Sequence, residues 1–176
     1  MTIKLPLAGF ALAASLICVA PAGATPLGPS SGFLASYTGP QNGDFDIASG
    51  EAFLFGSNFQ FDATFNAPIG TTPSPGVFYV WGIDRGSNSA PFGSFRSGVL
   101  FDAVVISDPT LNLNFVLDLS TMLSTPLPAS DVVVSGNSLE ITVPASLLPS
   151  TGFTFNDYRE SLDTGWIGRN HERSNR

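Results

Sequence analysis

In the stretch "NFQFDATF", Asn58–Phe65, apolar and polar residues alternate one by one. On an extended chain, Phe59, Phe61, Ala63 and Phe65 fall on one side and Gln60, Asp62 and Thr64 on the other. A helix would scatter those phenylalanines around its circumference, so this period of two demands a strand with one buried face. The preceding "IASGEAFLF" pairs with it as a hairpin, with Gly56-Ser57-Asn58 as the turn, because Gly and Asn tolerate positive φ. A second hairpin is "DVVVSGNSLEITVP", turning at Gly136-Asn137 with Leu139, Ile141 and Val143 pointing one way. A third alternating run, "LNLNFVLDL", predicts Leu111, Leu113, Phe115, Leu117 and Leu119 inward and Asn112, Asn114 and Asp118 outward.

Two segments do not alternate. "VFYVWGI" and "GVLFDAVVI" are apolar on both faces, which predicts central strands covered on both sides, or covered on one and flanked by long loops on the other. Turn-rich stretches such as "TGPQNGDFD", "NAPIGTTPSPG" and "DRGSNSAPFGSFRSG" separate the strands. "PASLLPSTG" has room for one helical turn at Pro144–Leu148 and no other helix is expected. The reading is an all-β fold, an antiparallel β-sandwich of jelly-roll type.

The first 24 residues stand outside that fold. One positive charge, Lys4, precedes the uncharged "LPLAGFALAASLICVA", and "AGA" at Ala22–Ala24 offers small residues for a signal peptidase. This predicts a secretory signal peptide over 1–24 cleaved after Ala24, with no membrane span in the mature chain and a secreted, periplasmic or cell-surface location. Cys18, the one cysteine, leaves with it, so residues 25–158 must hold together by apolar burial without disulfide or thiolate metal site. From Arg159 the composition changes. "RESLDTGWIGRNHERSNR" holds four of the six Arg and the only His, His171, and has no alternating apolar face. Residues 159–176 are therefore expected to be a charged tail and not a last strand. They read either as a solvated terminus or as the product of a shifted reading frame: in GC-rich codons, reading one base later puts TGG across Leu162-Asp163 and makes the tail rich in Gly, Ala, Ser and Thr.

Charge narrows the partners. Thr25–Tyr158 contains eleven Asp or Glu against Arg85 and Arg96, a balance that repels phosphate backbones, so nucleic acid is not expected as a partner. Nucleophilic catalysis lacks parts: the only His, His171, sits in the tail, and no Cys remains after Ala24. Asp44 and Asp46 would share one strand face, as a glycosidase carboxylate pair could, but acidic turn residues are the ordinary explanation of "NGDFD". Asn42, Asp44 and Asp46 offer oxygens for calcium, and Asp84, Ser87 and Asn88 form another oxygen-rich turn, though neither matches an EF-hand loop. Tyr37, Tyr79, Trp81 and Trp166 are the amphipathic aromatics on which a sugar could stack. Tyr79, Trp81, Asp84 and Arg85 make the candidate ligand site. The other reading of "FYVWGIDRG" is a buried strand: Gly82 admits a close neighbour, Asp84 caps the exit turn, and Arg85 pairs with a nearby carboxylate.

"GDFDIASGEAFLFGSNFQFDATFNAPIGTTP", "FYVWGIDRG", "GVLFDAVV" and "SGNSLEITVPASLLPSTGF" resemble a module of secreted bacterial proteins with no established activity, over roughly residues 33–158. More distantly, the hairpin followed by "ITVPASLLP" is similar to the sandwiches of DOMON-like and family 9 carbohydrate-binding modules. The resemblance implies a surface or extracellular location, a glycan or cell-surface partner, no agreed catalytic residues, and a further apolar strand where this chain has its charged tail. The expectation is a secreted, non-catalytic module with a binding or structural role. The alternatives are a calcium-dependent glycan-binding module and, behind it, a glycoside-acting enzyme using acidic residues.

Overall fold

A computed structural model describes residues 25–26, 42–72, 78–89, 91 and 100–165. Its ten strands are β1 (Thr25–Pro26), β2 (Ile47–Phe55), β3 (Asn58–Phe65), β4 (Phe78–Asp84), β5 (Ala103–Asp108), β6 (Leu113–Asp118), β7 (Leu123–Pro126), β8 (Val132–Ser135), β9 (Ser138–Pro144) and β10 (Arg159–Gly165). They form two antiparallel five-stranded sheets, in the orders β1-β2-β3-β9-β8 and β10-β4-β5-β6-β7. This is the two-layer all-β sandwich that the alternation demanded. Among the described residues helical structure is limited to 3-10 turns: the expected one, at Ala145–Leu147, and three more at Gly43–Phe45, Ala129–Asp131 and Phe155–Asp157.

Both hairpins fall where glycine allows the chain to reverse. Gly56 and Gly136 open two-residue loops at φ of 60° and 62°, and both have open space around a would-be side chain. The register then puts Phe59, Phe61, Ala63 and Phe65 on the same face as Leu139, Ile141 and Val143, and all seven are buried. The second sheet answers with Tyr79, Trp81 and Ile83 of β4 and with Ala103, Val105 and Val116. The layers lock through ring contacts: Phe61–Trp81 at 6.0 Å, Phe65–Tyr79 at 4.7 Å, and Phe59 stacked on Tyr158 at 5.5 Å. Every residue of β5 is buried, as its unbroken apolar run requires. Gly82 does admit a neighbour: a Cβ there would lie 2.3 Å from the Phe101 ring.

Two expectations are overturned. The phase of β6 is reversed. Asn114 and Val116 are buried on the inner face and Asp118 shares it, while Leu111 and Leu113 are exposed and Phe115 and Leu117 are half-buried. The reason is that the outer face of this sheet is apolar as well: Phe115 is paired with Ile106, and Leu117 with Val104. An apolar outer row left alternation with no polar side to mark the solvent, and the inner polar residues have partners, Asn114 accepting from Ser107 Oγ at 2.7 Å. The second correction concerns Arg159–Gly165, expected as part of a tail and found as β10, paired with β4 over its whole length. Leu162 alone supplies the apolar anchor, opposite Trp81 and 3 % exposed. A strand held by one leucine and a backbone ladder leaves no periodic trace. The signal segment with Cys18, and likewise Tyr37, Arg96, Trp166 and His171, lie outside the described residues. No helix among the described residues is long and apolar enough to cross a membrane.

Candidate functional site

The chain leaves β4 through Asp84-Arg85-Gly86, and Arg85 turns inward to complete burial. Its Nε donates to Asp102 Oδ1 at 2.7 Å, and its Nη2 donates to Asp118 Oδ2 at 2.6 Å. Nη2 also donates to the Asp102 carbonyl, and Nη1 to the carbonyl of Pro149. Asp102 is equally buried, and its Oδ2 accepts from Thr151 Oγ1 at 2.7 Å and from the Ser87 amide. The amides of Thr151 and Phe153 donate to the Arg85 carbonyl. One guanidinium thus joins the end of β4, the start of β5, the end of β6 and the 149–153 loop. The loop fits because Gly86 and Gly152 touch backbone to backbone: a Cβ on Gly152 would meet the Gly86 carbonyl at 2.3 Å, and Gly86 sits at φ 96°. Asp84 caps the exit turn through the Gly86 amide, at 2.9 Å.

Asp118 serves two structures at once. Its Oδ2 takes the guanidinium, while Oδ1 accepts from the amides and hydroxyls of Ser120 and Thr121, capping the β6–β7 turn. The β5–β6 turn is built alike, with Asp108 Oδ1 accepting from Thr110 and Leu111. Each turn ends on a non-glycine residue at positive φ, Asn112 and Met122.

Electrostatics follow the geometry. Burial alone would raise the Asp102 carboxyl; the hydrogen bonds from Arg85, Thr151 and Ser87, with the Arg85 charge, outweigh it and hold the group below the usual carboxylate range. For Asp118 burial is likewise outweighed, by Ser120, Arg85 and Thr121, and the group lies far below that range. Burial works against the Arg85 charge too, and the two aspartates reverse it, so the guanidinium is held more firmly than a free one. Carboxyls depressed in the fold give stability that is present above their unfolded value, near 3.8, and lost as pH falls through the folded value. Acid titration followed by tryptophan fluorescence should therefore leave the protein folded at pH 4 and unfold it only well below. Unfolding complete at pH 4 would contradict this.

A second hub forms around Asp44, which is buried at 1 % exposure. Its Oδ2 accepts from the Gly70 amide at 2.6 Å and from the Tyr79 hydroxyl at 3.1 Å, its Oδ1 accepts from the Thr72 amide, and its own amide donates to Thr72 Oγ1. Burial, then the Asp44 charge, pushes the Tyr79 phenol well above its usual range. Asp44 is thus the clasp for the segment after β3, and Gly43 at φ 64° lets Thr72 approach.

The site expected from sequence is therefore divided between two internal hubs. Tyr79 and Trp81 are core, Asp84 is a turn cap and Arg85 is a strut; none of the four presents its side chain to solvent. Of the three oxygen donors expected for calcium, Asp44 already accepts three hydrogens. Asn42 is exposed, and its carbonyl receives the Phe45 amide. Asp46 gives its carbonyl to the Asn66 amide. Among the described residues, no group of three or more His, Cys, Asp or Glu is placed to hold a metal.

Sequence reasoning found Arg85 and its need for a carboxylate, but not which one, because the reversed phase of β6 hid Asp118. It also missed a row on the outer face of the first sheet. Glu51, Asp62 and Glu140 lie directly opposite one another across β2, β3 and β9. Burial and then the charges of Glu140 and Glu51 push the Asp62 carboxyl up to about 6, against the hydrogen bonds it receives from Gln60. The β2–β3 hairpin register carries the Glu51–Asp62 pair, whereas Glu140 joins through the non-local β3–β9 pairing, which no local pattern fixes. The chain matches no protein-family model and no curated protein.

Proposed function

We propose that this chain is an exported, non-catalytic β-sandwich module with a structural or binding role at the cell surface or outside the cell. The observation that carries this reading is the complete burial of Arg85 between Asp102 and Asp118. Tyr79, Trp81, Asp84 and Arg85, the side chains that sugar stacking or ligand recognition would recruit, are committed to the core and to joining strands. A scaffold built this way keeps its loops in place without disulfides. If it holds a partner, the outer face of the first sheet is the surface to consider. There the rows Ser49–Thr64–Ser138 and Phe53–Gln60–Thr142 flank the acidic row, offering hydroxyls, an amide and carboxylates beside one aromatic. That face is what favours the second reading, a calcium-dependent glycan-binding module.

A glycan array and thermal melts of the purified protein, each with and without millimolar calcium, separate the readings. The structural role predicts an unchanged melting temperature and no retained glycan. A melting temperature that rises with calcium by mass action, together with calcium-dependent glycan retention, would establish the second reading. Turnover of any glycoside would overturn both.

A further inference from the structure

The last strand carries a feature that its ladder does not need. The register of β10 sets Glu160 opposite Ile83 and Leu162 opposite Trp81, so both side chains enter the inner face between the layers. Leu162 belongs there. Glu160 does not: its Oε2 is cut off from solvent and has no hydrogen-bond partner. The charged groups around it are turned elsewhere. On β4, Asp84 is bound to the Gly86 amide, and the Arg85 guanidinium beyond it is spent on Asp102 and Asp118. On β10 itself, Arg159 points to the other face, with its guanidinium over the Phe153 ring at 5.2 Å. Before β10, Asp157 accepts from Thr154, and the Tyr158 hydroxyl donates to the Leu148 carbonyl. On β2, which β10 meets across the sandwich, Gly50, Ala52 and Leu54 face inward and Glu51 faces outward beside Asp62.

Glu160 is half-buried and its own amide donates to its carboxylate, but Oε2 meets no donor, no solvent and, among the described residues, no counter-charge, so ionisation disfavours the docked position. β10 can leave without unpairing the rest of the sheet: it is an edge strand, with a ladder on one side only among the described residues. We propose that β10 is a proton-gated strand: it docks on β4 while Glu160 is protonated and detaches as Glu160 ionises, uncovering the Phe78–Asp84 edge.

The sign follows from the linkage. Burial pushes the Glu160 carboxyl up to about 7 from 4.5, so docking is fully favoured below about 4.5 and is lost as pH rises toward and past 7. An uncovered β4 would present a free row of N–H and C=O groups, the condition under which a sheet accepts a foreign strand.

Hydrogen exchange of the purified full chain at pH 5.5 and pH 8, corrected for intrinsic rates, tests this. Amides of β10 and of its partner edge on β4 should lose protection by roughly tenfold or more at the higher pH, while those of β6 hold theirs. Glu160→Gln should keep β10 protected equally at both. Equal protection of wild-type β10 at the two values would overturn the proposal, whether or not the variant folds. So would a Glu160→Gln protein that shows the same loss, and so would a loss shared by β6, which marks global rather than local opening.

Discussion

Arg85→Met should cost about 3–5 kcal/mol, among the largest losses any single change can produce in this protein, because it leaves Asp102 fully buried and Asp118 half-buried without their cation. For a domain of this size that corresponds to a fall in melting temperature of roughly 10–20 °C. The comparison with Arg85→Lys is informative. An ammonium preserves the charge but cannot send Nε to one aspartate and Nη2 to another while also reaching the Asp102 and Pro149 carbonyls. It should recover only part of the loss. Chemical denaturation of the three proteins, with midpoints and slopes measured together, checks this. A Lys variant as stable as wild type would mean that the guanidinium fork is not what joins these strands.

Phe61→Ala should cost a similar 3–5 kcal/mol. The ring is fully buried, it packs on Trp81 across the layers, and its strand is hydrogen-bonded on both sides, so little can collapse into the space. The same experiment reads the phase of β6. Val116→Ala, on the inner face and 2 % exposed, should be clearly destabilising, while Leu113→Ser, at an exposed position, should stay within about 0.5 kcal/mol of wild type. The reverse ranking would restore the phase that the leucine alternation suggests.

These contrasts show where the sequence was informative. The β2–β3 and β8–β9 hairpins were legible because one face is apolar, the other polar, and a glycine marks each turn. The role of "FYVWGI" was legible from aliphatic neighbours around Tyr79 and Trp81. β6 was misread because its sheet is apolar on the outside, so composition gave two candidate inner faces and the polar one won through Ser107 and Arg85. β10 was missed for a different reason. Backbone pairing to an open edge asks little of side chains, and Arg159, Glu160 and Asp163 hide the one residue, Leu162, that anchors it. The partners of Arg85 come from β5 and β6, strands whose approach is fixed by the sheet order and not by any local pattern.

The same logic separates the two kinds of carboxyl in this domain. Asp44 and Asp102, buried, and Asp118, half-buried, have donors aimed at them and stabilise the fold in the charged form. Asp62 and Glu160 lack sufficient compensation and favour the protonated form. Asp62, Asp118 and Glu160 sit on paired strands, so pH acts on how those strands join.

The central claim is that the buried Arg85 network holds the sandwich together and is not an idle ligand site. A double-mutant cycle between Arg85→Met and Asp102→Leu tests it most directly. The account predicts that the double variant recovers much of what either single change loses, with a coupling energy of about 2–3 kcal/mol. Losses that simply add, or single variants that melt like wild type, would contradict it.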